Sequence, residues 1–221
     1  MSNFYHGAKA RQVATSVSTP VTANSGVVFA VGTAPVHTVG GQVNTPIMAK
    51  TYEEAVAALG YSDDWGKYSL CEVIYSQFQL YNVAPVFFVN VLDPDKHKKA
   101  VAASDFDLLD GKTLLPLEAI IESVTVKAAS NESTEYTANV DYGLFYESGN
   151  LVLEVLEGGA IPESETKLNI AYEQVDPSKV TDTEIIGGFN ISTKKTSGLE
   201  LVDSVYPKYS IAPDILICPG W

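Results

Sequence analysis

The first fifty-two residues contain no aspartate or glutamate, and the only cations before Lys50 are Lys9 and Arg11. Cysteine is almost missing from the 221 residues: Cys71 and Cys218 stand alone, in no C-x-x-C pair. That excludes a disulfide framework and leads us to expect a reduced, intracellular origin. No apolar run reaches the roughly 18–20 residues that span a bilayer. Residues 1–19 hold no apolar h-region, so no secretory signal is expected, and the sequon-like Asn131-Glu132-Ser133 and Asn190-Ile191-Ser192 are read as chance. Clustered Lys and Arg are lacking, which argues against nucleic acid as a partner. G-x-x-x-x-G-K-[ST], G-x-G-x-x-G and G-x-S-x-G are absent, removing phosphate cradles and the nucleophile elbow. His6, His37 and His97 are the only histidines; all fall in loop-like or terminal stretches and are expected at the surface.

The acidity that is present sits in one block. Residues 104–190 hold 17 acids and 4 bases, residues 1–103 hold 7 and 7, and residues 191–221 hold 3 and 3. The formal net charge of -13 therefore belongs to a single segment. Such segregation implies two differently solvated domains. An apolar fraction of 46 % supports real cores, and 19 % charge is too little for a disordered chain.

Local patterns divide the chain in the same way. Residues 1–25 are rich in Ser, Thr, Val and Ala and read as an extended arm. Val27 to Ala34 is a β-branched and aromatic run suited to a strand buried on both faces. Loops are expected at Gly40-Gly41 and Pro46. Thr51 and Glu54 form a capping box before Tyr52, Ala55, Val56 and Leu59, with Gly60 as terminator. A second helix is expected from about Ser69 to Asn82, on the stripe Leu70, Val73, Ile74, Phe78 and Tyr81. Pro85 to Val91 reads as another buried strand.

The period then changes to two. Val124, Val126 and Ala128 form one alternating set, and Tyr136, Ala138, Val140 and Tyr142 a second. Leu151, Leu153 and Val155 follow a hairpin turn at Ser148-Gly149-Asn150, and Leu168, Ile170 and Tyr172 complete the series. We expect an antiparallel sandwich with the charge on its outer faces. After Asn190, a helix over Gly198 to Tyr206 stopped by Pro207 leads to a third buried strand, Asp214 to Cys218. The fold class expected is mixed α+β: an α/β core (26–103 with 191–221) interrupted by an acidic β-sandwich (104–190). A central strand with no helix after it leads us to expect a longer protein.

Few residues point to chemistry. Asp105 to Gly111 resembles a calcium loop, but its fifth and twelfth positions are Leu109 and Pro116, so a solvated acidic turn is expected. Lys96-His97-Lys98-Lys99 reads as a solvated helix start, or as a patch meeting an acidic neighbour. Cys71 and Cys218 read as core residues. Trp65 reads as a plug between helices rather than an exposed anchor. No catalytic, cofactor or metal site is expected.

Several strings carry a resemblance. Phe4-Tyr5-His6-Gly7-Ala8-Lys9, Thr15 to Val21, Gly32-Thr33-Ala34-Pro35-Val36, the block Ser62 to Pro94, and Ala212 to Gly220 resemble contractile phage tail sheath proteins. The resemblance implies a structural, non-enzymatic subunit of a virion tail, assembled in the host bacterial cytoplasm. Such subunits form stacked hexameric rings around a tube and contract to drive it into a cell. It implies as partners further copies of the chain, the tail tube protein, and baseplate and tail terminator proteins, with no cofactor, nucleic acid or membrane. It also implies further C-terminal sheath residues, and an arm that adds a strand to a neighbour's sheet. Phe4, Tyr5, Lys9, Arg11, Val13 and Val17 are the candidate interface residues of that arm, against a disordered tail as the alternative. The competing class is a carbohydrate- or receptor-binding sandwich using Tyr142, Phe145 and Tyr146; a hydrolase comes third, for want of a motif.

Overall fold

The computed structural model describes residues 26–130 and 133–221. Val27 to Val31 offer no polar side chain to solvent, and β1 (Val28–Gly32) is buried along its whole length. A strand not foreseen, β2 (Ile47–Ala49), follows the Gly40-Gly41 loop. Three residues carry no period of their own; pairing with a neighbour makes them a strand. Thr51 caps α1 (Tyr52–Leu59), its Oγ1 accepting the Glu54 N–H at 3.2 Å. The Glu54 carboxylate reaches one residue further back than a capping box predicts, accepting the Lys50 N–H at 2.8 Å. Gly60 ends the helix at φ 74°, where a Cβ would lie 2.6 Å from the Pro35 carbonyl.

The second expected helix is α2 (Ser69–Ile74), which widens into π-helical turns over Tyr75–Leu80. Leu70, Val73 and Ile74 are buried, but Tyr81 lies beyond the turns and is exposed. The next apolar run forms β3 (Val86–Asn90), again wholly buried.

The longest strand among the described residues, β4 (Lys98–Asp107), begins where a helix start was expected. Its side chains are mostly exposed, so no apolar alternation marks it, and its pairing partner decides its conformation. Asp110 and Gly111, with φ of 49° and 74°, turn the chain into β5 (Lys112–Pro116). Positive φ at both central positions is what a two-residue type I′ turn requires. Then come β6 (Thr125–Ala128), β7 (Glu135–Tyr136), β8 (Tyr142–Glu147), β9 (Asn150–Val155) and β10 (Lys167–Val175). The single strand expected from Tyr136 to Tyr142 is broken by a turn. The Asp141 carboxylate accepts the N–H of Thr137 at 2.7 Å and of Ala160 at 2.8 Å, leaving Val140 exposed.

Strands β4-β10-β6-β7 form one antiparallel sheet and β5-β9-β8 another. Leu115, Leu151 and Leu153 of the second meet Val126, Leu168 and Ile170 of the first in one apolar core. This is the expected sandwich.

The chain returns through α3 (Asp182–Ile186), the hairpin β11 (Gly188–Asn190) and β12 (Lys195–Ser197), 3-10 turns over Gly198–Ser204, α4 (Val205–Tyr209) and β13 (Ile215–Ile217). Pro207 does not stop the helix. It lies in the first turn of α4, where a missing N–H loses no helical bond. The central sheet has the order β13-β1-β3-β2, the first three strands parallel, with Val28 opposite both Ile215 and Val86, and Val31 opposite Val89. One face packs on α1 and α2, the other on Leu201, Val205, Val180 and Ile185. The strand β13 was expected to be buried; it is an edge strand and half exposed. No helix of the described residues is long and apolar enough to cross a membrane.

Candidate functional site

Two surfaces stand out: the seam between the central sheet and the sandwich, and the free edge of the central sheet. The seam is built by the residues that sequence reasoning placed at the surface. His97 is only 6 % exposed. Its Nδ1 accepts the Asp93 N–H at 2.9 Å, so the proton sits on Nε2, which donates to Glu184 Oε1 at 2.9 Å. An imidazole with both nitrogens satisfied can be buried, and loop position alone does not reveal that. Burial pushes the Glu184 carboxyl up, but the Thr181 N–H and the His97 bond outweigh it and hold the group below its usual range.

His37 acts on the other side of the seam. Its Nε2–H donates to the Leu117 carbonyl at 2.8 Å, and its ring meets Tyr146 edge-on, 5.8 Å between centroids at 84°. The Tyr146 hydroxyl donates to the Ala119 carbonyl at 2.6 Å, so both rings grip one segment. Burial lowers the His37 pKa, against the raising effects of the Leu117 carbonyl, Glu118 and Glu122. Nδ1 of His37 is buried without a partner among the described residues.

The basic run is spent within the chain. Lys96 lies 3.3 Å from Asp93, Lys98 2.6 Å from Glu173, and Lys99 3.3 Å from Asp176. Lys67 bridges Asp64 and Glu118, at 2.9 Å each. The lysine ends of these pairs are exposed to solvent, so they set register more than stability.

The other candidates resolve as follows. Asp105 accepts from Asn169 Nδ2 at 2.9 Å and Asp107 pairs with Lys167 at 3.4 Å, both on the strand β4 rather than in an acidic turn. Cys71 is buried, its thiol pushed up to about 12, and Cys218 is half-buried. Trp65 rests on Tyr75, 5.4 Å between centroids. Tyr142 is buried and Tyr146 is committed to Ala119; Phe145 alone of the three is exposed, so they make no aromatic platform. No group of three or more His, Cys, Asp or Glu is arranged to hold a metal ion among the described residues.

The sheet edge was not foreseen. Ile215 is 45 % and Leu216 53 % exposed, and β13 pairs with β1 alone among the described residues. Successive strand residues point to opposite faces, so each face of the edge carries a half-exposed apolar side chain. The Asp214 carboxylate accepts the N–H of Gly26 at 2.8 Å and of Val27 at 3.4 Å, which pins Gly26 and Val27 beside this edge. An aspartate directly before a short apolar run was the available signal. The arm candidates Phe4, Tyr5, Lys9, Arg11, Val13 and Val17 lie outside the described residues.

No protein-family model matches the chain. No solved structure matches it either. Over 222 aligned residues the chain is 28 % identical to a tail sheath protein of Burkholderia phage BcepMu, an alignment covering 100 % of this chain and 44 % of that protein. The chain thus spans less than half the length of the curated relative it matches. The chain is similar from end to end to a phage tail sheath protein, the family that its own residue strings resemble.

Proposed function

We propose that the chain is the N-terminal part of a contractile tail sheath subunit, a structural polymer-forming protein rather than an enzyme. The similarity to a tail sheath protein along the whole chain carries this reading. In it, residues 26–103 and 191–221 are the sheath core, residues 104–190 an inserted outer domain, and residues 1–25 a linking arm. The strand β4 crosses Ser104 without a break, and Val180 and Ile185 pack with β1. We accordingly propose boundaries for the insertion nearer Lys98 and Asp176 than Ser104 and Asn190.

The edge of β13 supports the arm. A free parallel edge accepts main-chain hydrogen bonds from an added strand. Twenty-five extended residues reach up to about 80 Å, well beyond the radius of one subunit, which is on the order of 20 Å. Copies of the chain are therefore within reach as partners, with rings stacked around a tail tube and ended by baseplate and terminator proteins. Ring and tube formation by the full-length protein, seen by electron microscopy, is the test; a strictly monomeric full-length protein overturns the reading.

A further inference from the structure

The hairpin of β11 and β12 carries an exposed apolar and basic surface that nothing among the described residues covers. Phe189 is 58 % and Ile191 82 % exposed. Lys194 and Lys195 follow in the turn and the returning strand, both exposed. Neither lies within ion-pair distance of a carboxylate among the described residues. Asn190 Oδ1 accepts the N–H groups of Ser192 at 2.9 Å and Thr193 at 3.0 Å, so the turn that presents these side chains is held in shape.

The complementary surface exists at the far end of the sandwich. A cleft of about 630 Å³ has Leu108, Val155, Leu156 and Ile161 among its lining residues. Asp110, Glu157, Glu163 and Glu165 line it. Lys112 and Lys167, next in sequence to the lining residues Gly111 and Thr166, are already engaged, with Glu154 at 3.0 Å and with Asp107 at 3.4 Å. Four carboxylates are left without a cation among the described residues.

Hairpin and cleft are at opposite ends of the same long strand pair. Lys98 of β4 pairs with Val175 next to His97 and α3, which leads directly into the hairpin; Asp107 pairs with Lys167 beside the cleft. Ten strand residues span about 30 Å, which keeps the two surfaces of one chain apart.

We propose that the β11–β12 hairpin of one copy docks into the distal sandwich cleft of a second copy. Phe189 and Ile191 would cover the apolar lining residues while Lys194 and Lys195 face the carboxylates. Two different patches then meet, a head-to-tail contact that propagates into a ring or an open polymer. Opposite charges give the contact its register and suppress wrong pairings. The inference rests on the self-assembly of the sheath reading and names one contact within it.

The test is charge reversal in the full-length protein, with assembly read by light scattering and electron microscopy. K194E/K195E and E157K/E163K change exposed side chains, so each should keep the wild-type circular dichroism spectrum. Each variant alone should weaken assembly by about tenfold or more. Mixing the two variants should restore it, because each altered hairpin then meets an altered cleft. Wild-type assembly by either variant alone overturns this contact and leaves the sheath reading standing. Loss in both without restoration on mixing overturns the pairing of these two surfaces. A wild-type protein that does not assemble overturns the contact together with the sheath reading.

Discussion

The imidazole of His97 donates to the carboxylate of Glu184 across 2.9 Å, joining the entry of the sandwich to the helix by which the chain leaves it. The same ring accepts the Asp93 N–H, so the two crossings between the halves are fastened at one buried side chain. His97→Ala leaves that N–H without its acceptor and opens a cavity. It should cost about 2–4 kcal/mol in urea unfolding. Glu184→Gln keeps an acceptor oxygen and should cost less than about 1 kcal/mol. Equal midpoints for wild type and His97→Ala would show that the ring does not fasten the seam.

A pH dependence follows from His37. Burial holds its folded pKa below the ordinary 6.5, so at mildly acidic pH the unfolded chain binds a proton that the folded chain refuses. Stability then rises with pH where the unfolded state holds more protons. His37 therefore contributes fully above about 6.5 and progressively less as pH falls below that value. Melting temperatures between pH 8 and pH 5 should decline, and His37→Gln should flatten the decline. A slope unchanged in that variant would place its origin in the carboxylates.

Val89 lies in β3, opposite Val31 of β1, and is fully buried. Val89→Asp places an unpaired charge between two covered faces. We expect a loss on the order of 3–5 kcal/mol, a large fraction of the total stability of a domain. A melting temperature unchanged by the substitution would contradict the position of β3 in the sheet.

Gly187 joins α3 to the hairpin at φ 74°, and a Cβ there would overlap the Ser197 carbonyl. Only a residue without a side chain allows that approach. Gly187→Ala should cost about 1–3 kcal/mol and loosen β11 and β12, raising amide exchange there first. Protection unchanged between Gly188 and Ser197 would show that the close approach is not needed.

How much was legible in the residues depended on how each element is held. Runs such as VVFAV and VFFV carry their burial in their own composition, so the two central strands β1 and β3 could be read directly. The sandwich core was equally open, because Val126, Leu153 and Ile170 alternate with polar neighbours. The short strands β2, β11 and β12 could not be read, since three residues have no period and exist through pairing. The strand β4 stayed hidden because its side chains are mostly exposed and basic at its start. The burial of His97 and the half-exposure of Ile215 and Leu216 were missed for a related reason. Both depend on what lies alongside, a partner for the imidazole and no neighbour for the strand, rather than on the residues themselves.

The account rests on the chain being a self-assembling sheath subunit whose first residues link it to its neighbours. Electron microscopy of the full-length protein, with and without residues 1–20, tests that most directly. An isolated arm cannot bury enough surface to offset ordering entropy of roughly 1–2 kcal/mol per residue, so its deletion should leave the monomer's melting temperature nearly unchanged. The intact protein should form rings and long tubes, and the deleted protein should not. Tubes of normal length from the protein lacking residues 1–20 would contradict the linking role of the arm, and an intact protein that forms neither rings nor tubes would contradict the sheath function itself.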